Sequence, residues 1–192
     1  MHRILLFFVL ILLAASIAYA DINEAYSALG KGNYSQAFSM FKNYAEQGDA
    51  EAQYALGLLY YDGKGVNQDF QQSAKWIRKA AEQELADAQL ALGNFYFDGE
   101  GVKQDYDAAF KWYLLAAKKG NVDAQFNMGY MFENGFGVAI DCDRAEEWYG
   151  KAASQGDDEA QEILQNFTCR DYINVALLNK YINSNKENHP WQ

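Results

Sequence analysis

A period of 36 residues constrains this chain more than any other feature. Asp49–Glu84, Leu85–Gly120 and Asn121–Gly156 align without gaps, and ten positions are identical in all three units. They are Ala52/Ala88/Ala124, Gln53/Gln89/Gln125, Gly57/Gly93/Gly129, Gly63/Gly99/Gly135, Gly65/Gly101/Gly137, Val66/Val102/Val138, Asp69/Asp105/Asp141, Trp76/Trp112/Trp148, Ala80/Ala116/Ala152 and Ala81/Ala117/Ala153. A fourth unit starts at Asp157 with Ala160, Gln161 and Leu164 in register and then loses the pattern. Self-similarity at such a period marks stacked supersecondary units, because one unit cannot bury its own apolar faces.

Each unit reads as two helices. The first is predicted over about 50–61, with Ala52, Leu56 and Tyr60 on one face. The second is predicted over about 70–83, with Ser73, Trp76, Ile77 and Ala80 on one face. Asp62-Gly63-Lys64-Gly65-Val66 joins them, its glycines free to take left-handed angles and its valine placed to plug the gap between helices. Asp69, Asp105 and Asp141 stand at N-cap positions. Ala80 and Ala81 permit close helix approach, and Trp76 is expected to fill the volume beside them.

Before the first full unit, Ala25, Leu29 and Gly30 echo Ala52, Leu56 and Gly57. A helix carrying Ala37, Phe38, Phe41, Tyr44 and Ala45 follows. Ile173, Ala176, Leu177 and Tyr181 suit an amphipathic capping helix at the other end. The expected organisation is therefore a signal segment 1–20, an N-terminal capping unit 21–48, repeats 49–84, 85–120 and 121–156, a partial repeat 157–167, and a capping helix and tail 168–192.

The pattern Ala-x-x-x-Leu-Gly-x-x-Tyr-x-x-Gly-x-Gly-Val-x-x-Asp, followed by Trp-x-x-x-Ala-Ala, resembles the Sel-one-like repeat, a relative of the tetratricopeptide repeat. The likeness covers 49 to about 167, and 21–48 resembles a tetratricopeptide repeat more loosely. It implies an all-α, α/α superhelical solenoid whose first helices line the concave side, and a role in protein–protein interaction rather than catalysis. Met128 and Phe132 replace Leu and Tyr in the third unit, and Glu84 replaces the closing glycine of the first.

With Leu56 pointing inward, Tyr54, Leu58 and Tyr61 point roughly the opposite way on the first helix. Their equivalents are Leu90, Asn94 and Phe97, then Phe126, Tyr130 and Glu133. The tetratricopeptide likeness implies that these positions lie on the concave surface. Contiguous exposed apolar and aromatic residues mark binding surfaces, so these nine are the expected groove for a protein or peptide partner. The alternative is that curvature buries part of the stripe. Glu51, Asp87, Asp123 and Glu159 place one acid per unit beside it. They serve the helix dipole, or border the groove as carboxylates that favour basic or amide-rich segments, and both can hold together.

Met1–Arg3 is a short positive start, Ile4–Ala20 an uncharged apolar run, and Ala18-Tyr19-Ala20 a small-residue cleavage pattern. These features describe a secretory signal peptide cut after Ala20. An uncleaved membrane anchor is the competing reading. The mature chain is then expected to be soluble, monomeric, free of the membrane and periplasmic or secreted. The formal net charge is −10. This acidity argues against a nucleic-acid partner and for a basic or neutral one. Cys142 and Cys169 are the only cysteines. In an exported chain their even number invites a disulfide. They fall at equal height on the helical hairpin centred on Gln155 and Gly156, with Cys142 starting one helix and Cys169 ending the next.

No catalytic residue, metal site or cofactor is expected. His2 and His189 are the only histidines, too few for a histidine-rich zinc site. Ser39-Met40-Phe41-Lys42 matches the Ser-x-x-Lys of β-lactam-recognising cell-wall enzymes, but its companion motifs are missing and Phe38 and Phe41 read as core. An immunity protein occluding a toxin or envelope enzyme is a specific form of the adaptor reading, and a cell-wall enzyme is the disfavoured alternative.

Overall fold

The computed structural model describes residues 22–169. The signal segment 1–20 and the capping helix expected around Ile173–Tyr181 lie outside the described residues. Helix α1 covers 22–30, followed by α2 (Tyr34–Glu46), α3 (Ala50–Asp62), α4 (Phe70–Glu82), α5 (Ala86–Asp98), α6 (Tyr106–Lys118), α7 (Val122–Asn134), α8 (Cys142–Ser154) and α9 (Asp158–Gln165). Among the described residues there is no strand, and no helix is long and apolar enough to cross a membrane.

Short polar side chains start these helices. Asp49, Asn121 and Asp157 accept the amides of Ala52, Ala124 and Ala160 at 2.7–2.9 Å. Asp69, Asp105 and Asp141 do the same for Gln72, Ala108 and Arg144. Each such cap stabilises its helix by ~1 kcal/mol. Leu85 holds the corresponding place before α5 and makes no side-chain cap. Glu84, where the other units close on glycine, keeps the same left-handed turn at φ 66°. The turn therefore survives the exchange, at the steric cost of a Cβ in that region.

Packing divides the chain into two compact units, Met1–Trp112 and Tyr113–Gln192. In the first, Ala25, Ala37, Phe41, Ala45, Ala52 and Leu56 form one core, against which Trp76 packs half-buried. Ile77, Ala80, Ala81, Ala88, Leu92 and Phe95 form the next, against which Val102 and Trp112 pack. Val102, the counterpart of Val66, thus packs on the core of its own repeat. The tryptophan does not fill the hairpin's centre. It sits at the seam with the neighbouring core, its ring covered by Lys79 Nζ at 4.0 Å from the centroid. The residue after it, Ile77, is the one fully enclosed.

In the second unit, Met128, Met131, Ala145, Tyr149 and Ala152 are fully buried. Lys151 Nζ lies 3.8 Å over the Trp148 ring.

The recurring glutamines satisfy helix ends. Gln53, Gln89, Gln125 and Gln161 donate to the carbonyls of Ala45, Ala81, Ala117 and Ala153 at 3.1–3.3 Å. Each reaches a last-turn carbonyl of the helix before it, one of the groups a helix cannot satisfy itself. Gln83 and Gln155 donate in turn to the Oε1 of Gln53 and Gln125, at 2.8 and 2.7 Å. The Ser73 hydroxyl, fully buried, donates to the Gly57 carbonyl at 2.7 Å and ties α4 to α3.

Candidate functional site

The first unit carries a cleft of about 290 Å³. Tyr54, Leu58 and Tyr61 line it from α3, and Leu90 and Asn94 from α5. Leu58 and Tyr61 are 39% and 37% exposed. The Tyr61 ring meets Phe70 and Phe95 edge-on, with centroids 5.2 and 5.7 Å away. These contacts hold the exposed ring in one orientation, so little side-chain freedom is left to lose on contact with a partner.

Five of the six groove positions expected in this unit therefore share one cleft. Phe97 does not join them. It is half-buried, with its ring 5.1 Å from that of Tyr106.

Carboxylates line the same cleft. Asp87 stands on the first turn of α5, Asp98 closes that helix, and Glu100 follows in the loop. The pKa of the Tyr61 hydroxyl is raised, chiefly by its interaction with the neighbouring Glu100 carboxylate. Burial first, then the nearby Asp87 and Glu51 charges, raises the pKa of the Tyr54 hydroxyl. Burial, then Glu100, raises that of the Asp98 carboxyl. Neither Asp98 nor Glu100 was among the expected site residues. Asp98 lies one turn beyond Asn94 on the same face, so extending the helical periodicity to the end of α5 would have reached it.

In the second unit, Phe126 is half-buried, with its ring edge-on to Tyr149 at 5.3 Å. Tyr130 is 40% exposed and stands 5.7 Å from Phe136. Glu133 accepts the Tyr149 hydroxyl at 2.8 Å. A recess of about 450 Å³ opens here, lined by Glu133, Glu159, Glu162, Ile163 and Phe167 among others. Of the four expected acids, Asp87 and Glu159 thus line hollows. Glu51 and Asp123 sit on exposed first turns of α3 and α7.

Burial, then the bond to Glu133, raises the Tyr149 pKa strongly above its ordinary 10.0. The folded state keeps this proton where the unfolded state loses it. The contribution is complete below pH 10 and is lost as pH rises beyond it. Tyr149→Phe should therefore show a shallower fall of stability with pH above about 10, by one proton's worth of slope. Urea unfolding of both proteins from pH 8 to 11.5 measures this.

Cys142 and Cys169 are bridged, with Cα atoms 5.7 Å apart. Cys169 is not the end of a helix as expected. Helix α9 stops at Gln165, and the bridge ties the chain beyond it to the first residue of α8. On α2, Ser39 is exposed and Phe41 is fully buried. The Lys42 ammonium lies 4.0 Å from Glu46.

Paired antiparallel helices joined by Gly-x-Gly-Val loops, repeated at 36 residues, define an all-α solenoid of helix–turn–helix repeats. The chain belongs to the Sel1 repeat family, whose model matches residues 21–49, 50–85, 86–121 and 122–157. Among solved structures it is similar to c5321, a protective antigen of uropathogenic Escherichia coli with an SLR fold, at 40% identity and a TM-score of 0.76 over 80% of this chain and 34% of that one. A Sel1 repeat protein of Oxalobacter formigenes is 36% identical, with a TM-score of 0.73 over 78% of this chain and 63% of that one. Cysteine-rich protein B of Helicobacter pylori shares the fold at 24% identity and a TM-score of 0.56, over 68% of this chain and 96% of that one. The chain thus spans about a third of the antigen's length and under two thirds of the Oxalobacter protein's. No curated protein matches it in sequence. Sel1-repeat proteins generally mediate protein–protein interaction and are typically non-enzymatic scaffolds.

Proposed function

We propose that this protein is an exported adaptor or regulator that holds a peptide or protein segment on the outward face of its first helices. The observation that carries this reading is the cleft between Tyr54, Leu58 and Tyr61 on one side and Leu90 and Asn94 on the other. Apolar and aromatic side chains left half-exposed on a well-packed scaffold supply contact area at little entropic cost. Phe126, Tyr130 and Glu133 offer a corresponding face on the second unit. The net charge of −10 favours a basic or neutral partner. Export is supported by the N-terminal sequence pattern and by the disulfide, a bond that persists in oxidising compartments. The protein acts as a monomer, without cofactor or chemical step.

Removing the exposed contact area tests this. Leu58→Ala with Tyr61→Ala should lower partner recovery from a native envelope extract at least tenfold, with helical circular dichroism unchanged. Equal recovery by the variant would place binding elsewhere on the molecule.

A further inference from the structure

Within the groove reading, on which this inference rests, the first-unit cleft also specifies charge. Asp87 and Asp98 are eleven residues apart on α5 and line the same cleft. At about 1.5 Å per residue, the two carboxylates stand about 16 Å apart along the helix. Asp87 acts electrostatically on Tyr54, near one end of α3's contribution. Asp98 and Glu100 act on Tyr61, near the other. Leu58, Leu90 and Ala91 lie between these ends in sequence and line the cleft with them. No lysine, arginine or histidine is among the lining residues. The cleft is therefore apolar in its middle and anionic toward both ends.

The Asp98–Glu100 end is the more demanding of the two. Asp98 is held partly out of water beside a second carboxylate, and both effects disfavour its charge. Glu100 acts electrostatically on the Tyr61 hydroxyl, whose ring is fixed against Phe70 and Phe95. A cation placed there relieves the repulsion between the two carboxylates, and an aliphatic stem leading to it covers Leu58 and Tyr61.

We infer that the cleft takes an extended peptide segment bearing a lysine or arginine at each end of a short apolar stretch. The spacing follows from the geometry. Side chains of an extended chain share a face every second residue and advance about 3.3 Å per residue, so cationic side chains four residues apart, about 13 Å, reach both carboxylate ends with their flexible stems.

The test uses the whole mature protein, isotope-labelled, titrated to millimolar concentration with the blocked pentapeptide Lys-Ser-Leu-Ser-Lys and followed by amide chemical shifts. Saturable shifts are expected in α3 over Tyr54–Tyr61 and in α5 over Leu90–Glu100. Binding should weaken about tenfold when both lysines become glutamine. It should weaken similarly in the near-isosteric variant Asp98→Asn with Glu100→Gln, whose dispersion of shifts reports an intact fold. Equal binding of the lysine and glutamine peptides would overturn the charge assignment and leave the apolar groove standing. No saturable shift with either peptide would overturn the inference, while the Leu58/Tyr61 recovery experiment would still judge the groove separately. Shifts at these residues that grow with protein concentration alone, matched by sedimentation as a dimer, would assign the cleft to a second copy of this chain and overturn the inference as well.

Discussion

Gly101→Ala is expected to destabilise the protein by about 3 kcal/mol or more. The residue sits at φ 64°, where an L side chain is strained by ~1–2 kcal/mol. An added Cβ would also strike the carbonyl group of Phe70 and lie 3.0 Å from the amide nitrogen of Gln71. Those are backbone atoms at the start of α4 and cannot rotate aside. Overpacking against a fixed neighbour adds ~1–3 kcal/mol. In a chain of this size, about 3 kcal/mol corresponds to a fall in melting temperature of roughly 6–12 °C. Gly150→Ala supplies the control. That glycine lies inside α8, with nothing within 4 Å of the position its Cβ would take. Removing a mid-helix glycine should raise stability by about 0.5–1 kcal/mol. Opposite signs in two urea titrations are the expected result. A Gly101 variant as stable as the parent would mean that the loop is not seated on the preceding hairpin.

The same contact recurs one repeat earlier, where a Cβ on Gly65 would meet Tyr34 and Ser35 at the start of α2. The second glycine of each of these two loops is thus the point where one hairpin docks on the one before it. A solenoid holds together through such nearest-neighbour contacts. Glu100 immediately precedes Gly101, so a shift of this loop also moves a carboxylate that lines the first-unit cleft.

What could be read from the sequence follows from what a repeat determines. The limits of α3 and α4 agree with the expected ones within one residue, and the Asp69, Asp105 and Asp141 caps are present, because periodicity and capping are local. The roles of Trp76 and Ile77 are a different matter. Adjacent apolar residues lie about 100° apart on a helical wheel, and only the neighbouring core decides which is enclosed. Gln53 and its counterparts stood out by recurrence alone. Their partners are carbonyls eight residues back on another helix, a distance no side-chain pattern encodes. The cleft was half legible. Tyr54, Leu58, Tyr61, Leu90 and Asn94 followed from the wheel. Phe97 instead lies beside Tyr106, and Asp98 and Glu100 fall at and beyond the last residue of α5, outside the positions the wheel selected. The cysteines were placed at matching heights correctly enough to bond, but the early end of α9 at Gln165 was not visible in its composition.

That early end makes the bridge the second large lever on stability. Helix α9 has eight residues, too few to persist alone in water. It is fastened by the buried Ala160, the Asp157 cap, the Gln161 bond to Ala153, and Phe167, whose ring lies 6.1 Å from that of Tyr149. The disulfide closes a loop with a sequence separation of 27 residues. The chain-entropy relation assigns such a loop about 3.5 kcal/mol. Cys142→Ser with Cys169→Ser, or reduction of the native protein, should therefore destabilise the second unit by about 2–4 kcal/mol. The loss should be uneven, since each repeat leans mainly on its neighbours. Hydrogen exchange should accelerate most in α9 and next in α8, while α2–α5 in the first unit keep their protection. The recess lined by Glu159, Glu162 and Phe167 should loosen with α9, because all three residues lie in or just after that helix. Unchanged exchange in α9 after complete reduction, verified by thiol labelling of both cysteines, would show that packing alone holds this helix and that the bridge contributes nothing to the folded repeat array.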